Sequence, residues 1–233
     1  MRKFLFVWGL LILATLPQVN ARAEEVMVPK WLERVELSAQ METDAKPTYY
    51  FQTVQPLYQS ADLAHTIFIE PRVSSQEGDQ TYNLGAGYRY LVNENLLLGA
   101  NVFGDYQATH EHHRVGVGLE ALTQTLEARA NGYFATSKRR EIQSTGSTTI
   151  YEKAVDGFDA ELGAPVPYLP WLKIFASGYW YNYEKFKNKY GWKNRVEASI
   201  SKAIKLEFYT FDDNKGDREY GTRIRTNIAF DSL

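Results

Sequence analysis

The feature that most constrains this chain is a two-residue alternation of apolar and polar side chains, repeated in twelve segments with no helical period between them. Tyr82, Leu84, Ala86, Tyr88 and Tyr90 alternate with Asn83, Gly85, Gly87 and Arg89, and Leu96, Leu98, Ala100, Val102 and Tyr106 with Gly99, Asn101, Phe103 and Asp105. Val115, Val117, Leu119 and Ala121 oppose Arg114, Gly116, Gly118 and Glu120; Leu126, Ala128, Ala130 and Phe134 oppose Glu127, Arg129, Asn131 and Tyr133. The pattern resumes around Phe158, Leu172, Val196, Ile204 and Tyr220, where Lys173, Arg195, Glu197, Lys205, Glu207, Arg223 and Arg225 hold the polar positions. Three earlier segments, 31–41, 48–58 and 63–73, alternate less cleanly. Successive side chains of a strand point to opposite faces, so each segment carries one apolar and one polar face.

The connections alternate too. Short ones fall at 58–62, 92–95, 123–125, 165–170 and 201–202; mostly longer, more polar ones fall at 42–47, 74–80, 108–111, 137–149, 184–189 and 212–217. Short turns at one rim and long loops at the other describe an outer-membrane barrel with periplasmic turns. An even strand number places both ends of the barrel at the periplasmic rim. A soluble sandwich or lipocalin-like barrel has the same alternation with the apolar face inward, and alternation alone does not say which face is outside. Two features favour the membrane arrangement. The polar face is rich in glycine as well as charge, and aromatics (Trp31, Tyr90, Tyr106, Phe134, Trp171, Trp192, Phe230) lie near strand ends, where interfacial girdles sit.

The N-terminus reads as an export signal. Arg2 and Lys3 precede an apolar block over 4–16, Pro17 breaks it, and Ala21-Arg22-Ala23 supplies a small-residue cleavage site. At about 1.5 Å per residue the block is shorter than a hydrocarbon core about 30 Å thick, which argues against a membrane anchor. The expected organisation is a cleaved signal peptide over 1–23, a short periplasmic segment over 24–30, a twelve-stranded antiparallel transmembrane β-barrel over 31–230, and a terminal stretch over 231–233.

Composition removes several functions. With no cysteine there is no thiol nucleophile, disulfide, Cys-ligated metal or lipidated cysteine. A net charge of −2 lacks the basic excess of a nucleic-acid binder. The glycines alternate within strands and open no helix, so no phosphate loop or nucleotide fingerprint is formed.

The run from Asn83 to Ser137 resembles the β-domain of the inverse autotransporter (intimin and invasin) family. The resemblance is carried by Asn83-Leu84-Gly85 with Gly87 and Arg89; by Leu97, Gly99, Asn101, Phe103 and Asp105; by His113-Arg114 with Gly116, Gly118 and Glu120; and by Ala130-Asn131-Gly132-Tyr133-Phe134. Pro56-Leu57-Tyr58 and Asp156-Gly157-Phe158-Asp159 extend it less strongly. It implies a twelve-stranded antiparallel barrel, in agreement with the count above. Family members export an adhesive passenger that follows the barrel. Here three residues follow Phe230, so the expectation is a barrel lacking that passenger, acting as scaffold, pore or split translocator. The alternative is a surface adhesin that binds through loops such as 137–149.

The candidate site is a polar network facing a lumen: Asn83, Arg89, Asn101, Asp105, Arg114, Glu120, Glu127, Arg129, Asn131, Arg223 and Arg225. Opposite charges there can pair across strands. Two readings stay open, a sleeve for an extended polypeptide and a self-satisfied plug. A rim hydrolase is the remote reading. His110-Glu111-His112-His113 lies near Asp105, but not at the one-turn helical spacing of a zinc protease, and without an evident serine beside it. Lone His65 reads as structural. No catalytic residue, metal or cofactor is expected. The expected partners are outer-membrane lipid and lipopolysaccharide, the barrel assembly machinery, and a separately encoded passenger or a host surface; nucleic acid is not expected.

Overall fold

The computed structural model describes residues 35–145, 148–184 and 186–227; the expected signal peptide, Trp31 and Phe230 lie outside them. Every regular element described is a strand. In chain order these are β1 (Val35–Glu42), β2 (Thr48–Thr53), β3 (Gln55–Gln59), β4 (His65–Gln76), β5 (Asp79–Asn93), β6 (Leu96–Gln107), β7 (His112–Thr123) and β8 (Glu127–Ala135). There follow β9 (Arg140–Thr145), β10 (Thr148–Glu152), β11 (Asp156–Val166), β12 (Leu169–Asn182), β13 (Lys189–Ser199), β14 (Ile204–Asp213) and β15 (Glu219–Asn227).

Neighbouring strands pair antiparallel around a ring. β1 pairs with β15 (Ala39 opposite Ile224) and with β2, and β2 pairs with β4, which closes the sheet. Strands β2 and β3 share one wall position, broken at Val54, while β9 and β10 form a separate hairpin. The result is a closed twelve-stranded antiparallel barrel. The β1–β15 and β2–β4 pairings join the two ends of the sheet, and β1 opposite β15 puts both described chain ends at one rim.

The polarity is inverted relative to a soluble core. Leu84, Leu119 and Leu162 face outward at 61%, 66% and 57% exposure, whereas Glu197 and Glu207 are buried on the inside at 5% and 2%. Aromatic collars ring the outer surface near both ends. At one, Tyr82 stacks near Tyr106, Tyr106 on His113, and Phe158 on Trp180. At the other, His65 stacks on Tyr90 and its Nδ1 lies 2.6 Å from the Tyr88 hydroxyl. Such rings suit the membrane–water interface, where one edge is apolar and the other wet.

Three connections differ from expectation. Residues 74–80 are wall rather than loop: β4 and β5 run on to a two-residue turn at Glu77 and Gly78, both with positive φ (52° and 94°). This is the backbone of a hairpin turn whose twist matches the strands. Expected loop 137–149 instead contains most of the β9–β10 hairpin. Residues 165–170 contract to a turn at 167–168, where Tyr168 takes a φ of 66° and is fully exposed. At the opposite end of β3, the turn over residues 60–64 is knotted by its own side chains. The Ser60 hydroxyl donates to Asp62 (2.5 Å), as does the Ala64 N–H (3.1 Å), and these bonds hold the Asp62 carboxyl below the usual range.

Several inward glycines seat aromatic rings rather than charges. A Cβ on Gly116 would collide with the Phe103 ring, on Gly163 with Phe175, and on Gly221 with Tyr209, each the cross-strand neighbour. Only at positions such as Gly99, beneath Glu120, does the glycine make room for a charged group. Gly163→Ala is therefore expected to destabilise the barrel by about 1–3 kcal/mol through overpacking. It should lower the temperature at which the compact band converts to the unfolded band on a heat-modifiability gel. Gly104→Ala, with nothing within 4 Å of the added carbon, should leave that temperature unchanged.

Candidate functional site: the lumen

The barrel encloses a polar cavity of about 920 Å³ that runs from Thr123 at the rim bearing the chain ends to Ser74 and Thr81 near the other. A smaller cavity of about 420 Å³ lies toward the 60–64 turn, and Phe68 lines both. The Phe68 ring is 3% exposed and carries the Arg89 guanidinium 4.6 Å above its centroid, so it forms a partition between the two spaces.

Of the eleven expected residues, nine line the main cavity, Arg89 lines the smaller one, and Glu120 lines neither but pairs with Arg89; they fall into small groups. Arg114 grips Asp105 with Nε and Nη2 at 2.9 and 2.7 Å, and Asn83 donates to the same carboxylate. Arg89 donates to Glu120 at 2.6 Å. Glu127 accepts from Arg129 at 2.9 Å and from Lys173 at 2.5 Å, while Asn131 donates to Asp159 at 2.9 Å. Arg223 binds the Gln40 amide oxygen through Nε at 2.8 Å. Asn101 sits against Gly118 with its oxygen buried and without a hydrogen-bond partner among the described residues.

The densest cluster contains a single expected residue. Arg225 contacts both Glu197 and Glu207. Arg195 reaches Glu161 at 2.7 Å, Glu207 at 3.2 Å and Glu197 at 3.3 Å, and Lys205 closes on Glu197 at 3.0 Å. Two nearly inaccessible carboxylates are thus embedded among three cations, which offset their desolvation. Of this group the expected site held only Arg225. The signal for the others was present: Arg195, Glu197, Lys205 and Glu207 occupy the polar positions of β13 and β14. The family motifs, however, are concentrated in β5 to β8 and do not reach these positions.

Aromatic rings are the other unanticipated lumen component. Phe68, Phe103, Tyr133, Phe175 and Tyr209 stand among the charges, and cations lie over most of them: Arg114 over Tyr133 at 4.4 Å, Arg195 over Phe175 at 3.6 Å. A ring face is an electrostatic partner for a guanidinium, so these stacks fix the cations without neutralising them.

At the rim, the β9–β10 hairpin comes against the β6–β7 turn at Glu152, whose oxygens lie 3.2 Å from His110 Nδ1 and 3.3 Å from His112 Nε2 without completing a hydrogen bond to either. Arg140 pairs with Glu111 at 3.2 Å. Contrary to the sequence reading, a serine does lie beside the histidines: Ser137 Oγ is 3.3 Å from His112 Nδ1, on the side of the ring away from Glu152. The strand register that brings Ser137 to His112 is invisible without β8 placed against β7. Among the described residues no group of three or more His, Cys, Asp or Glu side chains is disposed to hold a metal ion.

The sequence model of a family described as "Inverse autotransporter, beta-domain" matches residues 11–208. Invasin of Yersinia enterocolitica is 33% identical over 117 residues, 50% of this chain and 13% of invasin. Intimin of Escherichia coli O127:H6 is 36% identical over 92 residues, 40% of this chain and 10% of intimin. The matches therefore span a small fraction of these longer relatives. A membrane protein solved in a study of in-meso crystallization superposes with a TM-score of 0.73 at 18% identity, covering 86% of this chain and 85% of that one. The KdgM porin superposes at 0.57 and 9% identity, covering 83% and 98%. At such identities the likeness is one of fold.

Removing one member of the embedded charge cluster should be costly. Glu207→Ala leaves Arg195, Arg225 and Lys205 sharing Glu197 and Glu161 beside a void, and is expected to cost about 3 kcal/mol. Asp212→Ala, which breaks an exposed pair with Arg218, should cost about 0–1 kcal/mol. Urea midpoints of the two variants in detergent provide the comparison.

Proposed function

Because the chain belongs to the inverse autotransporter β-domain family, we propose that its barrel anchors an extended polypeptide segment in the outer membrane and gives it passage through the lumen. It is an outer-membrane protein, and its apolar outer band meets lipid and lipopolysaccharide acyl chains. The observation that carries the reading is the lengthwise polar cavity. An extended segment presents an N–H and a C=O at every residue, and each needs a partner. A lumen walled by carboxylates, guanidiniums, amides and water meets that demand, where an apolar bore would not. At about 3.3 Å per residue, an apolar band about 25 Å tall is crossed by about eight residues. The segment comes from the same polypeptide or from a separately encoded one; the lumen chemistry serves both.

In this reading the chain is not an enzyme. Ser137, His112 and Glu152 seat the β9–β10 hairpin at the rim, where β7, the end of β8 and β10 meet around one buried imidazole.

The natural absence of cysteine makes the test direct. Ser177, on the polar face of β12 with its hydroxyl bonded to the Lys193 carbonyl, is replaced by cysteine. The refolded protein is expected to give stepwise conductance in a planar bilayer, and attachment of a bulky maleimide at position 177 should suppress it. A silent barrel whose residue 177 stays unlabelled by a charged thiol reagent would remove passage through the lumen as the function.

A further inference from the structure

We propose that the lumen selects for negative charge: its occupant is an acidic, carboxylate-bearing peptide segment. This deepens the conduit reading above and rests on it.

The chain as a whole carries slightly more acidic than basic residues, 28 Asp and Glu against 26 Lys and Arg. The main cavity reverses this balance, with nine basic side chains and six carboxylates in its lining. The reversal is stronger at the surface an occupant meets. Most of the carboxylates lie low against the wall with their cations over them: Glu207 is 2% exposed beneath Arg225 at 20%, and Glu197 6% beneath Lys205 at 39%, whereas Glu161 at 21% reverses the order with Arg195 at 14%. The pairs on the opposite wall repeat the order, with Asp105 at 14% beneath Arg114 at 32% and Glu120 at 10% beneath Arg89 at 33%. The cause is side-chain length. A short carboxylate stays near its strand, whereas a lysine or arginine stem carries its charge outward into water.

Two of the cavity's cations form no direct ion pair among the described residues, although carboxylates lie in range of their charge: Glu70 of Arg72, and Glu42 and Glu207 of Lys193. Arg72 is held 4.4 Å over the Tyr50 ring, and Lys193 lies 3.6 Å from the centroid of Tyr209. Ring faces position these groups without consuming their hydrogen-bond donors. The Arg72 guanidinium keeps a fork of N–H groups that fits a carboxylate in bidentate geometry, and Lys193 adds a second point charge across the lumen. An acidic segment would gain charge-assisted bonds from groups already fixed in place. A basic one would have to displace cations from the embedded carboxylates.

The test uses the full chain refolded in detergent and three fluorescent peptides of equal length, glutamate-rich, lysine-rich and uncharged, read by anisotropy. The glutamate-rich peptide is expected to bind about tenfold tighter than either of the others, and to lose that advantage as salt shortens the Debye length from about 8 Å toward about 3 Å. Arg72→Glu combined with Lys193→Glu should abolish the preference. Arg72→Gln with Lys193→Gln, which asks less of folding, should reduce it severalfold, with heat-modifiability confirming assembly. Equal binding of all three peptides, no binding, or a preference for the lysine-rich peptide overturns the inference. An open and thiol-accessible lumen in the Ser177→Cys protein, refolded in the same way, would leave the conduit intact, which separates this failure from that of the broader reading.

Discussion

The structure depends on one seam, the hydrogen-bonded ladder between β1 and β15, which runs from Glu36 opposite Asn227 to Glu42 opposite Gly221. Lipid offers no partner for a backbone amide, so a spanning sheet with free edges would leave two rows of N–H and C=O groups unsatisfied in hydrocarbon. The seam removes both rows at once. It also fixes the direction of every side chain, because alternation in a closed ring has only an inside and an outside. Once Leu84, Leu119 and Ile224 are outside, Asn83, Glu120 and Arg223 have no other place than the lumen. The inverted polarity is a consequence of closure in a lipid solvent.

Closure then creates an electrostatic problem that the lumen solves in layers. Charges brought near one another in a restricted space lose hydration, and an unmatched one costs several kcal/mol. The deepest carboxylates, Glu197 and Glu207, are therefore surrounded by Arg195, Arg225 and Lys205, and the shallower ones pair singly with Arg89 or Arg114. Cations beyond this requirement are placed on aromatic rings, as Arg72 is on Tyr50. Rings and charges share the lumen because inward glycines create hollows in the wall. Phe103 lies across Gly116 and Tyr209 across Gly221, which keeps bulky rings close to the wall and leaves the axis to water and longer side chains.

Much of this was legible in the sequence, and the reason is the period. Alternation over β5 to β8 is so regular that the inward residues, from Asn83 to Asn131, follow from parity alone. Parity equally placed Arg195, Glu197, Lys205 and Glu207 inward. What parity does not carry is register, and the Glu197–Glu207–Arg225 cluster exists only because β13, β14 and β15 align those positions. Register also joins Ser137 to His112. Turn chemistry failed for a different reason: Glu77-Gly78 lacks the Asn or Asp that usually announces a tight hairpin, yet both residues take positive φ. The polar run 137–149 reads as loop because hydrophilicity conceals a hairpin whose strands, exposed on β9 and standing clear of the wall, need no apolar face.

The break between β2 and β3 shows how these constraints meet. Pro56 cannot donate a ladder hydrogen bond, so a proline in a strand belongs at an edge, a strand start or a bulge. Among the described residues β3 pairs with β4, and the register shifts between Pro56 and Tyr58. The bulge interrupts the ladder at that end of the wall. It borders the smaller cavity, which Val54 and Gln59 line and Phe68 separates from the main lumen. The partition thus stands beside the bulged stretch of wall, where Pro56 withholds a ladder hydrogen bond and the smaller cavity takes the place of regular packing.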